Sequence, residues 1–308
     1  MVSVIIPVYN EENNVSELHR ELVSVLRKIG QEFEIIFVND GSIDGTLREL
    51  KKLPGIRIIS FATNFGQTSA FDAGFKEAKG DIVVSMDGDL QNDPRDLPEF
   101  LKKLEEGYDV VCGWRHPRND TAGKVFVSWG ARILRRILLG DNLHDAGCSL
   151  RVYKKSCLEG LDLYSEMHRF IPSILSARGF RVTEIKTNHR PRGAGQTKYN
   201  WSRAIKGFTD MVVLWFWQRY RARPVHLFGA GGLFLFLLGF GIGVYFFAAR
   251  VFFDIPLAGR IGPLASVFFM FSGIQLFVAG LLADIAIRNY YSVSKEKSYF
   301  VREMIENK

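Results

Sequence analysis

The sequence predicts an α/β domain with a mainly parallel β-sheet, followed by two membrane-spanning helices. Over the first hundred or so residues, short apolar strand patterns alternate with helical patterns, which is the βαβ order of a parallel sheet. Several of these strands run directly into polar residues and glycine. The stretch from about Val225 to Ile287 is nearly all apolar, so we expect a soluble part and a membrane part in one chain.

Each element of the α/β part rests on a local pattern. Strands are expected at Val2–Val8, Phe33–Val38, Ile56–Phe61, Asp81–Met86 and Asp109–Gly113, and helices near Asn14–Ile29, Gly45–Leu50, Thr68–Lys79 and Leu97–Glu106. A mostly apolar run such as Ile82–Met86 needs both faces of its sheet covered, as in parallel α/β sheets. Parallel connections place the carboxyl ends of these strands along one edge.

Polar residues follow four of the predicted strands. They are Tyr9-Asn10-Glu11, Asn39-Asp40-Gly41-Ser42, Asn64-Phe65-Gly66 and Asp87-Gly88-Asp89. Open α/β sheets bind ligands at the carboxyl ends of their strands, so four such ends on one edge predict a nucleotide-sized cleft. The first strand end lacks GxGxxG, which disfavours a dinucleotide-binding Rossmann domain.

The pair Asp87 and Asp89 is the strongest single motif of the chain. Two carboxylates at the end of a buried strand suit a divalent cation and the phosphates it carries. The alternative is a capping turn before the helix that follows Pro94, since Asp and Gly are ordinary turn residues. The three other polar strand ends favour the metal interpretation.

Composition narrows the class of protein. The chain has 308 residues, 47% hydrophobic content and a formal net charge of +7, which suits a folded protein. Cys112, Cys148 and Cys157 are odd in number and form no CxxC pair, so we expect neither a disulfide framework nor a zinc site. Met1 leads straight into a strand without a signal-peptide pattern, which predicts a cytosolic N-terminal domain.

A segment rich in arginine at about residues 120–140 follows the α/β pattern. Apolar residues at spacings of three and four with cations between them describe an amphipathic helix on an anionic membrane face. A helix packed on the sheet with a solvated basic face is the alternative. The apolar region downstream favours the membrane.

Two stretches, Val225–Ala249 and Gly262–Ile287, are long enough to cross the bilayer, which takes about 20 residues. Cations cluster outside the pair rather than at its connecting turn, so the positive-inside rule places both termini in the cytosol. The first stretch contains Gly229, Gly232, Gly239 and Gly243. These glycines indicate close helix packing or contact between copies of the chain.

Two further segments carry polar residues between the sheet and the membrane. Asp145 precedes a short strand, and it is a candidate general base, a residue that orients a cation, or a structural cap. The loop from Asn188 to Tyr199 combines cations with glycine, which suits a lid over phosphate groups. The alternative for this loop is an electrostatic contact with lipid headgroups.

Five motifs, in this order along the chain, closely resemble those of family 2 glycosyltransferases of the GT-A fold. They are Val4-Ile5-Ile6-Pro7-Val8-Tyr9-Asn10-Glu11, Val38-Asn39-Asp40-Gly41-Ser42, Asn64-Phe65-Gly66, Asp87-Gly88-Asp89-Leu90-Gln91 and the loop Arg190–Tyr199. The nearest group is the polyprenyl-phosphate glycosyltransferases, including dolichol-phosphate mannose synthases and bacterial undecaprenyl-phosphate sugar transferases. The paired apolar stretches and the tail after Tyr290 also fit this group, so the resemblance covers essentially the whole chain.

The resemblance implies roles for particular residues. Pro7, Tyr9, Glu11 and Asp40 would surround the nucleotide base and ribose; Asp87, Asp89 and Gln91 would hold Mg²⁺ or Mn²⁺ against the donor diphosphate; Arg115 and Ser128 would approach the acceptor phosphate; Arg190, Arg192 and Lys198 would clamp phosphate groups. The expected catalytic residues are Asp89, Asp145, Arg115, Arg190 and Lys198. Gly88 departs from the commoner Asp-Ala-Asp form, which should leave both carboxylates free but loosen the backbone.

The implied activity is an inverting, metal-dependent transfer of a sugar from a UDP- or GDP-sugar to undecaprenyl or dolichyl phosphate. A lipid phosphate is already largely ionised at neutral pH, because the second pKa of a phosphate monoester is about 6, so no strong general base is required. A processive polysaccharide synthase is an alternative, although Gln218-Arg219-Tyr220-Arg221-Ala222 lacks the tryptophan of its QxxRW motif. A non-catalytic membrane component is another, which the intact motif residues disfavour.

The expected organisation has four parts. They are a cytosolic GT-A domain over residues 1–200 that includes the amphipathic segment, a juxtamembrane helix over 201–224, a transmembrane region over 225–289 and a cytosolic tail over 290–308. The expected partners are the nucleotide-sugar donor, the polyprenyl-phosphate acceptor, the lipid bilayer and further copies of the chain through the transmembrane helices. No nucleic-acid partner is expected.

Overall fold

The computed structural model describes residues 1–115, 122–141, 143–163, 166–190, 209, 211–216, 224–257, 259–293 and 301–306. The chain divides into two compact units, one formed by Met1–Leu214 with Lys297–Lys308 and the other by Trp215–Glu296. Most of the predicted juxtamembrane helix over 201–224 lies outside the described residues. In the part of this segment that the structure describes, residues 211–216 are helical.

The first unit is built on one β-sheet. Its strands are β1 (Val2–Val8), β2 (Phe33–Asn39), β3 (Ile56–Phe61), β4 (Ile82–Ser85), β5 (Val110–Arg115), β6 (Arg151–Lys154), β7 (Val182–Thr187) and β8 (Val301–Glu306). The described strands form an eight-stranded sheet in the order β7-β5-β6-β4-β1-β2-β3-β8. The pairs β1–β2, β2–β3, β1–β4 and β5–β7 are parallel, whereas β6 is antiparallel to both neighbours and β8 to β3. The predicted mainly parallel α/β sheet is confirmed.

Helices alternate with these strands along the chain. They are α1 (Val15–Ile29), α2 (Thr46–Leu50), α3 (Gln67–Glu77), α4 (Leu97–Glu105), α5 (Ala122–Leu139), α6 (Lys155–Leu158) and α7 (Ile171–Ala177), with 3₁₀ turns at Pro94–Asp96 and Met167–Phe170. In α1 the buried residues Leu18, Leu22 and Val25 follow one another at spacings of four and three, which places them on one face. The helix ends at Gly30, whose φ of 74° is left-handed.

Strand β1 lies at the centre of the core, and all seven of its residues are buried. Helix α3 packs unusually close to it, because an added Cβ at Gly74 would lie 2.1 Å from Ile5 Cγ2. This close approach brings the start of α3 to the edge of the sheet where β1 and β4 end. The predicted strands and helices up to α4 match the observed ones within about two residues.

The C-terminal strand β8 was not anticipated by the sequence analysis. It pairs antiparallel with β3, from Arg57 opposite Glu306 to Phe61 opposite Val301. It therefore covers an edge of the sheet that would otherwise expose unpaired backbone groups. The predicted tail thus contains a structural element of the first unit.

The second unit is a pair of helices, α8 (Pro224–Phe253) and α9 (Ile261–Val293). His226–Phe253 and Ile261–Ala286 are candidate membrane spans by length and composition, with mean hydropathies of 2.1 and 2.0. Glycines bring the two helices together: an added Cβ at Gly232 would lie 2.6 Å from the Gly273 carbonyl oxygen, and one at Gly239 2.7 Å from the Ser266 carbonyl oxygen. These contacts account for two glycines of the predicted span by helix packing, while contact between copies stays a prediction.

Helix α5 falls within the predicted amphipathic segment. Its described side chains near the C-terminus include the exposed Ile133 and Ile137 beside the exposed Arg132 and Arg136. Arg135 is buried instead and pairs with Asp141 at 3.0 Å. Exposed isoleucines beside exposed arginines suit the interface of an anionic membrane, and membrane contact of α5 stays a prediction.

Candidate active site

A cavity of about 580 Å³ opens at the carboxyl ends of β1, β2, β3 and β4. Six of the residues predicted for the site line it: Pro7, Tyr9, Glu11, Asp40, Asp87 and Asp89. They belong to three different strand ends. The folded sheet therefore brings together groups that are up to about eighty residues apart in the chain.

The carboxylates of Asp87 and Asp89 follow β4 at the floor of this cavity. Asp89 is buried at 6% exposure, and its Oδ1 accepts a hydrogen bond from the Gln91 amide at 3.2 Å. Leu90, which follows Asp89, has a left-handed backbone with φ 63°, an uncommon conformation for a residue with a branched side chain. The backbone thus turns sharply just after the pair.

Gly88 allows the pair to lie close to β1. An added Cβ there would be 2.6 Å from Val8 Cγ1 and 3.1 Å from the Pro7 carbonyl oxygen. The missing side chain lets the Asp87–Asp89 backbone pass directly beside the end of β1. In this fold Gly88 therefore serves close packing, where the sequence suggested a loosened backbone.

The environment of Asp87 disfavours its negative charge. Burial and the neighbouring Asp89 raise the pKa of Asp87, against hydrogen bonds from Ser149 and Gln67 and the charge of Arg115. Gln67 Nε2, at the start of α3, donates to Asp87 Oδ1 at 2.6 Å. Two adjacent carboxylates held in this way are stabilised by a cation between them.

The other side of the cavity is formed by the ends of β1, β2 and β3. The side chain of Asn10 accepts from the Ile43 amide at 3.0 Å, and the Asn10 amide donates to Ser42 Oγ at 3.0 Å. Tyr9 next to it is 43% exposed, as a ring that stacks on a base would be. These bonds hold the first two strand ends together.

Asp40 is the buried acid of this side. Its carboxylate accepts hydrogen bonds from the Phe65 amide at 2.7 Å and the Gly66 amide at 3.0 Å. Burial raises the pKa of Asp40, while these two amide bonds lower it. Asp40 therefore fixes the backbone that leads into α3, in addition to lining the cavity.

Arg115 and Asp145 form a bidentate ion pair outside the cavity lining. Arg115 Nε donates to Asp145 Oδ2 at 2.7 Å and Nη2 donates to Oδ1 at 2.9 Å. Both oxygens of Asp145, which is 3% exposed, are thus engaged. Of the three roles considered for Asp145, this geometry favours the orientation of a cation.

Arg190 and Gln91 lie together beside the cavity. Arg190 Nη1 pairs with Glu21 at 2.7 Å and its Nη2 with Asp93 at 2.7 Å, so its guanidinium contacts two carboxylates of the first unit. The Gln91 carbonyl accepts from the Arg190 amide at 2.9 Å, and its side-chain amide lies 3.5 Å from His189 Nε2. The phosphate role of Arg190 and the metal role of Gln91 stay predictions.

Three predicted residues cannot be placed at this site. Arg192 and Lys198 lie outside the described residues. Ser128 lies within α5, where only its backbone is described. Their roles at the acceptor phosphate stay predictions.

One wall of the cavity consists of Glu166, His168 and Arg169, none of which was predicted from the sequence; we call it the 166–169 wall. His168 Nδ1 lies 2.6 Å from Thr68 Oγ1 at the start of α3. Arg169 pairs with Glu166 at 3.3 Å, with both side chains about half exposed. No motif spacing marks these residues, although a His-Arg pair just before an apolar helix was a weak signal.

The mainly parallel sheet with a cavity at the carboxyl ends of its strands is a fold of the GT-A type. Solved structures with the same fold include mannosyl-3-phosphoglycerate synthase from Rubrobacter xylanophilus, with a TM-score of 0.58 and 16% identity over 71% of this chain and 74% of that one. Another is glucosyl-3-phosphoglycerate synthase from Mycobacterium tuberculosis in complex with Mn²⁺ and UDP-glucose, with a TM-score of 0.53 and 18% identity over 71% and 78%. At these identities the likeness shows the fold.

The chain belongs to Glycosyl transferase family 2, whose sequence profile matches residues 3–161, and it is a glycosyltransferase. Similar curated proteins include a dodecaprenyl-phosphate galacturonate synthase of Rhizobium johnstonii, 35% identical over 99% of this chain and 93% of the relative. An undecaprenyl-phosphate 4-deoxy-4-formamido-L-arabinose transferase of Pseudomonas paraeruginosa is 33% identical over 99% and 90%. The predicted resemblance to polyprenyl-phosphate glycosyltransferases is confirmed at the level of the family and its relatives.

Proposed function

We propose that this glycosyltransferase transfers a sugar from a UDP- or GDP-sugar to a polyprenyl phosphate, with inversion at the anomeric carbon and with a divalent cation. The observation that carries the proposal is the position of Asp87 and Asp89 in one cavity with Pro7, Tyr9 and Asp40. A nucleotide can lie on the latter three while its diphosphate reaches the carboxylates. The names of full-length relatives support the polyprenyl-phosphate acceptor.

The charges of the cavity support the cation. Among the cavity-lining residues that the structure describes, five are acidic and one is basic: Glu11, Asp40, Asp87, Asp89, Glu166 and Arg169. A diphosphate would be repelled by this surface unless a cation lay between them. A bound divalent cation would therefore make this acidic surface suitable for an anionic donor.

The residues present fit Mg²⁺ or Mn²⁺. Among the described residues, no three or more His, Cys, Asp or Glu side chains form a group that could hold a metal ion. Mg²⁺ typically binds through one or two carboxylates together with substrate phosphates, which matches Asp87 and Asp89. The cation would act as a Lewis acid on the departing diphosphate.

The chain's own residues then orient the two substrates. Tyr9 and Asp40 hold the nucleoside side, and Gln67 keeps the Asp87 carboxylate in place. Arg115, oriented by Asp145, adds positive charge near Asp87, where negative charge develops on the leaving group. Direct attack by a lipid phosphate oxygen on an α-linked donor gives a β-linked lipid phosphate sugar.

The remaining cationic residues and the membrane helices complete the proposal. Arg190, Arg192, Lys198 and Ser128 would contact phosphate groups of the donor or the acceptor. The catalytic unit and both termini would lie in the cytosol, because most of the nearby cations precede the first helix or follow the second one rather than lying at the turn between them. The acceptor lipid would reach the site from the same leaflet.

The test is a transfer assay with the full-length protein purified in detergent. A panel of radiolabelled UDP-glucose, UDP-N-acetylglucosamine, UDP-galacturonate and GDP-mannose is combined with undecaprenyl or dolichyl phosphate. We expect a lipid-linked product for at least one pair, its loss in excess chelator and its return with Mn²⁺. Failure of every donor, or full activity in chelator, would refute the donor class or the metal role respectively.

A matched pair of variants assigns the metal role to the motif. Asp89→Asn should lower the transfer rate on the order of 100-fold, because an uncharged amide holds the cation and the developing charge poorly. The control Asp162→Asn changes an exposed carboxylate that pairs with Lys76 outside the cavity lining. Equal rates for Asp89→Asn and the control would refute the role of Asp89.

A further inference from the structure

Arg151, the first residue of β6, is a buried cation with an unusual set of partners. It is 4% exposed, and its Nη1 donates to the His168 carbonyl at 2.6 Å while Nη2 donates to the Ala146 carbonyl at 2.7 Å. A third, longer bond of 3.5 Å reaches the Arg169 carbonyl. No carboxylate pairs with Arg151 among the residues that the structure describes.

Such a group is costly unless its contacts serve a purpose. Burying a charge without a counter-charge is unfavourable, and an apolar residue of similar size would avoid that cost. The guanidinium offers several N–H groups in a rigid, planar fork, which suits it to joining backbone segments that lack other partners. Arg151 uses this fork to join two segments that are distant in sequence.

Both segments belong to the surroundings of the active site. Ala146 follows Asp145, which orients Arg115. His168 and Arg169 belong to the 166–169 wall of the cavity. One buried guanidinium therefore fixes the turn behind the Arg115–Asp145 pair and the wall that faces the cavity.

The order of strands indicates which part of a donor this wall meets. The nucleoside side of the cavity is formed by the ends of β1, β2 and β3, and the carboxylates follow β4. Next to β4 in the sheet lies β6, from which Arg151 holds the wall. In a nucleotide sugar the sugar lies beyond the diphosphate, so it would meet the 166–169 wall.

The wall has the chemistry for sugar hydroxyls. His168 is half-buried against Thr68, and burial together with Arg169 and Arg151 lowers the pKa of His168 to about 3. The imidazole is therefore neutral at physiological pH and offers one donor or one acceptor to a hydroxyl. Glu166 and Arg169 add an acceptor and donors beside it.

We propose that Arg151 is a positioning residue that holds the 166–169 wall against the sugar of the donor. The proposal rests on the proposed function, because it requires a nucleotide-sugar donor. It assigns recognition of the sugar to a segment that the strand-end motifs do not include. A positioning role of this kind affects the sugar and leaves the nucleoside diphosphate largely unaffected.

The test compares two ligands that differ by the sugar. Binding of UDP and of GDP, and of UDP-glucose, UDP-N-acetylglucosamine, UDP-galacturonate and GDP-mannose, is measured by calorimetry on the full-length protein with Mn²⁺. For the tightest sugar conjugate, Arg151→Met and His168→Ala should each weaken binding about tenfold, as expected for one or two lost hydrogen bonds. The affinity for the matching nucleoside diphosphate should stay within about twofold. Arg151→Lys should lie between wild type and Arg151→Met.

The control is Arg178→Met, since Arg178 is an exposed arginine whose Nη2 donates to the Gly160 carbonyl outside the cavity lining. It should leave both affinities unchanged. Equal weakening of both ligands in Arg151→Met and His168→Ala would mean general damage and overturn the inference, as would unchanged binding. If Arg151→Met fails to fold, Arg151→Lys tests the positioning role, and His168→Ala, at a half-buried residue of the wall itself, tests the contact of the wall with the sugar. Wild-type protein that binds none of these ligands would instead refute the proposed donor class.

Discussion

Replacing Gly74 with alanine tests how α3 is held against the sheet. The added Cβ would lie 2.1 Å from Ile5 Cγ2 and 3.4 Å from Val38 Cγ2, whereas carbon atoms in contact lie about 3.5–4.0 Å apart. Alanine gains about 1 kcal/mol over glycine in a helix interior. Overpacking of a core costs about 1–3 kcal/mol, and a contact this short belongs at the upper end. The net result is a loss of about 2 kcal/mol.

The same substitution elsewhere should have the opposite sign. Gly130 lies in α5, is exposed, and an added Cβ there meets no described atom within 4 Å. Gly130→Ala should therefore stabilise the protein by about 0.5–1 kcal/mol through helix propensity alone. The midpoint of thermal unfolding shifts by about 2–4 °C for each kcal/mol of stability in a protein of this size. It should therefore be about 4–8 °C lower in Gly74→Ala and slightly higher in Gly130→Ala than in wild type.

The Gly74 change should also reach the active site. Helix α3 begins with Gln67, which donates to Asp87, so a displaced helix moves one carboxylate of the pair. We expect the KM for the donor to rise in Gly74→Ala and to stay constant in Gly130→Ala. Adding Ile5→Ala to Gly74→Ala should cost less than the sum of the two single changes. A midpoint for Gly74→Ala at or above that of wild type would refute the reasoning.

Two other groups give predictions from their ion pairs. Asp145→Asn leaves the mostly buried Arg115 without its counter-charge and should lower the free energy of unfolding by about 3 kcal/mol. The double variant Arg115→Met with Asp145→Leu should recover this stability but not the transfer activity. Unfolding measures the first effect and a transfer assay the second. Burial alone would raise the pKa of Asp93, but Arg95 and Arg190 lower it to about 2. Because an unfolded aspartate has a pKa of about 3.9, this stabilisation is complete above about pH 4 and is lost as the pH falls to about 2. The stability difference between wild type and Asp93→Asn should narrow in that window, and a constant difference would contradict it.

The fold was predictable wherever local pattern and burial agree. Strands β1 to β4 are short apolar runs buried on both faces, so no other element suits them and their bounds follow within about two residues. The two candidate membrane helices follow from length and composition in the same way. Strand β8 was not predictable, because its pairing with β3 depends on a partner more than two hundred residues away in the chain.

The shared position of the candidate site residues was predictable where those residues follow parallel strands. Asp40, Asp87 and Asp89 were found because the carboxyl ends of such strands share one edge. The pairing of Arg190 was not, because its partner Glu21 lies on α1 and is 169 residues away. A cation in a glycine-rich loop suggests phosphate binding equally well whether or not an acidic partner lies beside it.

The direction of β6 explains why the 166–169 wall was not predicted from the sequence. Because β6 is antiparallel to β4, its first residue lies near the end of β4, with Arg151 opposite Ser85. For this strand the residues that precede it lie at the site edge, and those that follow it lead away. Asp145 was found because it precedes a strand pattern, but the chain returns to the cavity at His168 only after α6 and a turn. The hydrogen bonds of Arg151 to the carbonyls of Ala146 and His168 join these two segments. Sugar recognition by the wall could therefore be inferred only from the folded structure.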